Sequence, residues 1–95
     1  MDKIAMVTGA SGGIGRACAL ALLADGWQVV LVGRRADALQ ATADAAGSAR
    51  RAAHVAVADV GDPAAVARLF ADVKRQHGRL DLLFNNAGIF TPSVS

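Results

Sequence analysis

Residues 4–15 read Ile-Ala-Met-Val-Thr-Gly-Ala-Ser-Gly-Gly-Ile-Gly, and the fold is decided there. Ile4–Thr8 is a compact apolar run that suits a buried strand. Four glycines in the next seven residues, Gly9 to Gly15, make a sharp turn. A helical pattern then runs from about Gly13 to Asp25, with Gly26 as its stop. Ile14, Cys18, Ala21 and Leu22 share the face expected to be buried, which makes Cys18 a small packed thiol rather than a reactive one. Strand, glycine turn and helix together form an anion site. The first-turn N–H groups have no intrahelical partners, and the aligned peptide dipoles favour negative charge there. Glycines also occur in such turns merely to make the turn, but four in seven residues in this context favour phosphate binding.

The loop lacks the Lys-Ser or Lys-Thr that would follow a P-loop, so a nucleoside triphosphatase is excluded. Strict GxGxxG is not matched either, because Cys18 stands three places after Gly15. A dinucleotide site of variant glycine spacing remains. The rest of the chain continues the alternation of short apolar runs and helical patterns that gives βαβ units and a parallel sheet. Trp27–Val32 reads as a second strand buried on both faces, with Trp27 as a packing residue. An alanine-rich helix follows over Ala36–Ala46, closed by Gly47, and Ala53–Ala58 is a third strand ending at Asp59. The third helix has the clearest signals: Asp62 as N-cap, Pro63 at the first position, and Val66, Leu69, Phe70 and Val73 in one stripe. Lys74, Arg75 and His77 close it before Gly78. Leu80–Asn85 is the fourth strand, with Phe84 in its core pattern, and residues 88–95 are loop-like.

Composition narrows the function classes. The 95 residues are 54% hydrophobic, with a mean hydropathy of +0.37, enough for one core without crosslinks. A single cysteine rules out an internal disulfide framework and fits a reducing compartment. Ten basic against eight acidic residues give a net charge of +2 and a pI near 9.3. Arg34-Arg35, Arg50-Arg51 and Lys74-Arg75 are interleaved with acids and nearly free of aromatics, which argues against nucleic-acid binding. No apolar run approaches a membrane span, and the short apolar N-terminus is interrupted too early for a signal peptide, so a cytoplasmic location is expected. His54 and His77 have no further ligands at metal spacing, so no metal is expected.

The end of the second strand bears on the choice of dinucleotide. NAD binders usually place an acidic residue there to accept from the ribose hydroxyls. Here the position holds Gly33-Arg34-Arg35, about 20 residues past the loop. A carboxylate would repel a 2′-phosphate, whereas a guanidinium pairs with it bidentately. Arg34 and Arg35 thus favour NADP(H) over NAD(H), the bland alternative being two solvated surface arginines. A methyltransferase would want an acid at the same place.

Together these patterns resemble the short-chain dehydrogenase/reductase family, of the classical type. Thr8–Gly15 matches its TGxxxGxG loop, although the doubled glycine also satisfies the TGxxGxxG of extended members. Asn85-Asn86-Ala87-Gly88 matches the NNAG of classical members, Asp59-Val60 the pair after the third strand, and Leu80–Leu83 the lead into NNAG. The resemblance implies an α/β Rossmann-type parallel sheet, here partial, with four strands and three helices; right-handed crossovers put the strands in order 3-2-1-4. It implies that Gly9, Gly13, Gly15 and the Ile14 backbone line the pyrophosphate, with the Ser11 hydroxyl near the adenosine ribose. Arg34 and Arg35 would contact the 2′-phosphate, Asp59 and Val60 would bracket the adenine, and Asn86, Ala87 and Gly88 would lie beside the ribose. Asn85 would help fix the central strands.

The family's serine, tyrosine and lysine belong downstream of NNAG. This sequence has no tyrosine, and its only lysines, Lys3 and Lys74, stand elsewhere. Ser93 and Ser95 follow NNAG too closely to be the catalytic serine, so no catalytic residue is assigned. Residues 1–95 are therefore expected to be the N-terminal part of an NAD(P)-binding Rossmann domain, with the catalytic part absent from this chain. The expected parent activity is hydride transfer between the nicotinamide and a small carbonyl or alcohol substrate, in a protein that is homo-oligomeric when full length. The alternative is a non-catalytic dinucleotide-binding module or sensor. In either case the fourth strand is expected to be an exposed apolar edge, which an isolated chain would pair, aggregate through, or need covered.

Overall fold

A computed structural model describes residues 3–86. Strands β1 (Ile4–Thr8), β2 (Gln28–Gly33), β3 (Ala53–Val57) and β4 (Leu82–Asn85) alternate with helices α1 (Gly13–Ala24), α2 (Ala36–Ala45) and α3 (Pro63–His77). All three strand pairs are parallel and the order is β3-β2-β1-β4, as the sequence predicts. Element boundaries shift by one or two residues from expectation. Trp27 stays outside β2, and Gly33 extends that strand. A short 3-10 helix over Gly47–Ala52, unforeseen, carries the chain into β3. β4 starts at Leu82, because Asp81 is spent on fastening it. The Asp81 carboxylate accepts from the Ile4 N–H at 2.8 Å, and its own N–H donates to the Ile4 carbonyl at 2.8 Å.

The sheet is covered on both faces, as parallel sheets require. On one face Ala5, Val7, Val29 and Leu31 pack with Ala19 and Leu23 of α1 and with Leu39 and Ala43 of α2. On the other, Met6, Val30 and Val32 pack with Leu69 and Val73 of α3. Met6, Leu31 and Leu39 are fully buried, each worth about 2 kcal/mol in apolar transfer. Trp27 packs against the first of these clusters, with the Lys3 ammonium 5.3 Å from its ring centre.

Two helix faces depart from the expected ones. In α1 the buried residues are Gly15, Ala19 and Leu23, whereas Ile14 is 71% exposed, Ala21 is exposed and Cys18 only half-buried. The close approach of Gly15 to the turn below it sets the seam of this helix, and small residues rather than bulky ones line that seam. In α3 the stripe holds at Leu69 and Val73, but Val66 is half-buried and Phe70 is 38% exposed. Phe70 shares a groove with Leu83 and Asn85 of β4, the edge strand among the described residues.

Candidate functional site

The glycine turn leaves the carboxyl end of β1, at the point where the chain crosses from β1 to β2 on one side and β4 flanks it on the other. Ligands of open α/β sheets sit at this switch point. Two glycines are dictated by the geometry. Gly9 has φ +64°, a left-handed conformation, and a Cβ there would meet the Asn86 carbonyl oxygen at 3.1 Å. A Cβ on Gly15 would lie 2.1 Å from the Gly9 carbonyl oxygen and 2.8 Å from Asn86 Nδ2. The first turn of α1 therefore sits directly on the end of β1 with no side chain between.

Hydrogen bonds hold the turn from three directions. The Thr8 hydroxyl donates to Asn85 Oδ1 at 2.8 Å and accepts from the Asn86 N–H at 2.9 Å, locking the ends of β1 and β4 together. Asn85 fixes the central strands in this way, in keeping with the resemblance. The Ala10 N–H donates to the Val32 carbonyl at 3.2 Å, tying the turn to the end of β2. From α2, the buried Thr42 hydroxyl donates to the Ala10 carbonyl at 2.8 Å. Sequence reasoning assigned no role to Thr8 or Thr42. A threonine on the inward face of an alanine-rich helix is the signal that was there to find, because a buried hydroxyl needs a partner.

The N-terminus of α1 is open. Its N-cap is Gly12, and among the described residues no side chain caps the first-turn N–H groups. A Cβ built on Gly12 or Gly13 meets nothing within 4 Å, so a diphosphate has room to reach those donors. Beside this opening lies a cleft of about 350 Å³ lined by Gly9, Ser11, Gly33, Arg34, Asp59 and Val60, among others. Of the residues expected at the site, the cleft brings together Gly9, Ser11, Arg34, Asp59 and Val60. Gly13, Ile14 and Gly15 form the adjoining helix start, and Asn86 lies under the turn. Ala87 and Gly88, like Ser93 and Ser95, lie outside the described residues. Val32, Gly33, Ala58 and Gly61 also line the cleft and were not foreseen.

The two arginines separate. Arg34 is exposed on the cleft wall and has no ion pair among the described residues. Arg35 stands at the N-cap of α2, outside the cleft lining, and pairs with Asp37 at 3.3 Å. The Ala38 N–H and then the Arg35 guanidinium hold the Asp37 carboxyl below the usual carboxylate range. Opposite Arg34, Asp59 is held by its own turn, Oδ1 accepting from the Gly61 N–H at 2.9 Å. The backbone beside it is continuous with the sheet, since the Ala58 N–H donates to the Gly33 carbonyl at 2.9 Å. The cleft thus holds a guanidinium without an ion pair among the described residues together with one oriented carboxylate, with backbone donors at the near end. No group of three or more potential metal ligands occurs among the described residues, and none of their helices is long and apolar enough to cross a membrane.

Comparison with known proteins agrees with this architecture. The family model for short chain dehydrogenase matches residues 3–95. The 3beta-hydroxysteroid dehydrogenase of Mediterraneibacter gnavus is 41% identical over 93% of this chain and 32% of its own length. The 3-oxoacyl-[acyl-carrier-protein] reductase FabG of Escherichia coli is 39% identical over 92% of the chain and 34% of its own. Among solved structures, an actinorhodin polyketide ketoreductase with NADPH superposes with a TM-score of 0.81 and 32% identity, over 90% of this chain and 33% of that one. The chain of YwfH, an NADPH-dependent reductase involved in bacilysin biosynthesis, gives a TM-score of 0.85 at 30% identity, over 100% and 37%. The chain spans about a third of the length of the curated relatives it matches. From the glycine turn to the Asn85-Asn86 end of β4, this chain belongs to the short-chain dehydrogenase family.

Proposed function

We propose that residues 1–95 are the N-terminal part of an NAD(P)-binding domain and that the cleft over the β1–α1 turn takes NADP(H) in preference to NAD(H). The observation that carries the preference is Arg34, an exposed guanidinium without an ion pair among the described residues, on the same cleft as Gly9, Ser11 and Asp59. In this reading the α1 N-terminus holds the pyrophosphate, Ser11 faces the adenosine ribose and Arg34 pairs with the 2′-phosphate. Asp59 accepts from the adenine amine through the oxygen that its own turn leaves free, Val60 packs against the ring, and Asn86, Ala87 and Gly88 continue the ribose wall. Arg35 has a secondary role, because its pairing with Asp37 competes for the charge. Two similar structures are named for NADPH, which supports the same choice.

The bound dinucleotide supplies a hydride donor or acceptor. For the whole enzyme the reading is oxidoreduction of a carbonyl or alcohol in the cytoplasm, by a homo-oligomer, with the catalytic residues on polypeptide other than these 95 residues, which hold no tyrosine. The alternative reading is a dinucleotide-binding module or sensor without catalysis. A Tyr-x-x-x-Lys segment in the same assembly selects the enzyme. Arg34→Asp tests the cofactor preference by titration with NADPH and NADH. The expected result is a loss of NADPH affinity of about tenfold or more with NADH little changed, the scale of one lost charge-assisted pair. Equal losses for both would overturn it.

A further inference from the structure

One buried hydroxyl outside the cleft acts on its wall. Thr42 is fully buried on the inward side of α2. That helix is seated tightly on the sheet. Leu39 and Ala43 belong to the core cluster with Val29 and Leu31, and a Cβ on Gly33 would come within 3.2 Å of Leu39 Cδ2. The Thr42 side chain is therefore held at a fixed point. A buried hydroxyl needs a partner, and two carbonyls compete for it. Its own helix offers the Ala38 carbonyl at 3.5 Å, the usual resort of a threonine in mid-helix. The Ala10 carbonyl, 32 residues away along the chain, lies at 2.8 Å. The hydroxyl is committed to the glycine turn.

Ala10 is fully buried and Ser11 is exposed, so the chain passes from core to cleft across a single peptide. On its near side the Ala10 N–H is fixed by the Val32 carbonyl at 3.2 Å. No backbone N–H donates to the Ala10 carbonyl in the turns and loops of the described residues, so Thr42 is what fixes the peptide leading to Ser11. A trans peptide sets its C=O and N–H on opposite sides, and none of the described peptides is cis. With the Ala10 oxygen drawn to α2, the Ser11 N–H is turned away from α2, and Ser11 lines the cleft. We propose that Thr42 is a positioning residue for cofactor binding: through the Ala10 carbonyl it holds the Ser11 N–H, beside the Ser11 hydroxyl, toward the adenosine ribose. The inference rests on the reading of the cleft as a dinucleotide site and adds to it a residue that does not line the cleft. Without the hydroxyl, the Ala10 carbonyl is buried with no donor, a cost the peptide escapes by turning its oxygen to water. That rotation carries the Ser11 N–H inward, away from the ribose. NADPH and NADH share this ribose, so both lose affinity, whereas Arg34→Asp affects NADPH.

Two substitutions separate the hydroxyl from the packing. Thr42→Val keeps the shape and removes the hydroxyl, and Thr42→Ser keeps the hydroxyl and removes a buried methyl. Fluorescence titration with NADPH and with NADH should show Thr42→Val binding both about tenfold more weakly than the unaltered protein. Thr42→Ser should bind both within about twofold of the unaltered protein, although the lost methyl lowers its urea midpoint. A purely structural threonine would leave the affinity of the folded protein untouched by either change. Amide exchange of the unaltered protein needs no variant to fold: saturation with NADPH should slow exchange at Ser11 about tenfold or more. Undiminished binding by Thr42→Val, equal losses with valine and serine, or Ser11 exchange unmoved by bound NADPH would each overturn the proposal. Failure of the unaltered protein to bind either cofactor would overturn the dinucleotide reading and this inference with it. A preference of the unaltered protein for NADH would overturn only the reading of Arg34.

Discussion

Helices α1 and α3 begin in opposite ways. α3 starts at Asp62, whose carboxylate accepts from the Ala64 N–H at 3.0 Å, with Pro63 in the first position, where an N–H would have no partner. α1 starts at Gly12, with no side-chain cap and no acid in its first turn. A side-chain cap is worth about 1 kcal/mol relative to alanine, and the macrodipole adds a few tenths for a nearby acid. α3 collects both contributions through the single Asp62 carboxylate at its N-cap. α1 forgoes them, and its start is instead held by contact with the end of β1, leaving its donors turned outward. The helix that is less complete by itself is the one that borders the cleft.

The strongest way to break this contrast is to separate α1 from the strand beneath it. A Cβ on Gly15 would lie 2.1 Å from a backbone oxygen that cannot move without disturbing Thr8, Asn85 and Asn86. Gly15→Ala should therefore destabilise the chain by about 3 kcal/mol, at the upper end of overpacking effects, and abolish NADPH binding. Urea unfolding with and without NADPH measures both. Unchanged stability would mean that contact with β1 does not hold the start of α1.

A smaller effect separates capping from ligand binding. Gly12 has φ −168°, extended backbone open to any residue, and space around its Cβ position. Gly12→Asp should cap α1 and raise stability by a few tenths of a kcal/mol to about 1 kcal/mol, while its charge repels a diphosphate. NADPH affinity should then fall about tenfold or more. The reciprocal change, Asp62→Ala, should cost about 1 kcal/mol of stability and leave NADPH affinity as it was. Parallel changes in stability and affinity for both variants would erase the distinction between the two helix starts.

The same contrast explains what the sequence could disclose. α3 was legible to the residue at both ends, because caps, proline and the last-turn cations Lys74, Arg75 and His77 are local signals. The strand order followed from right-handed crossovers between parallel strands, a chain-level rule. The buried face of α1 was not legible. Its seam is chosen by how closely Gly15 and Ala19 let the helix approach, and hydrophobic periodicity points instead to Ile14, which is exposed. The site shows the same division. The glycine loop and the strand-end positions of Arg34 and Asp59 could be read from the motifs. The different fates of Arg34 and Arg35 could not, since they depend on whether Asp37 reaches one of them. Thr42 escaped because its partner, the Ala10 carbonyl, lies 32 residues away. The 3-10 helix had no periodic pattern to announce it.

The smallest effect lies at the far end of α3, where the contrast with α1 continues. α1 closes with no basic residue in its last turn, whereas α3 closes on His77, whose ring meets His54 of β3 edge-on at 4.9 Å between centres. His54 Nε2 is also 2.7 Å from Gln28 Oε1 on β2, so one imidazole joins the helix end to two strands. Burial, and then the neighbouring His77, push the His54 pKa below its ordinary 6.5. The unfolded chain therefore binds more protons than the folded one as the pH falls below 6.5. The contribution of His54 to stability is complete above that pH and is lost as acid approaches the lower folded pKa. His54→Gln removes the titrating ring, so the unfolding free energy of the variant should fall less steeply between neutral pH and about pH 5 than that of the parent. Proton NMR titration of the His54 ring checks the direction at its source. A midpoint at or above 6.5 would overturn the direction.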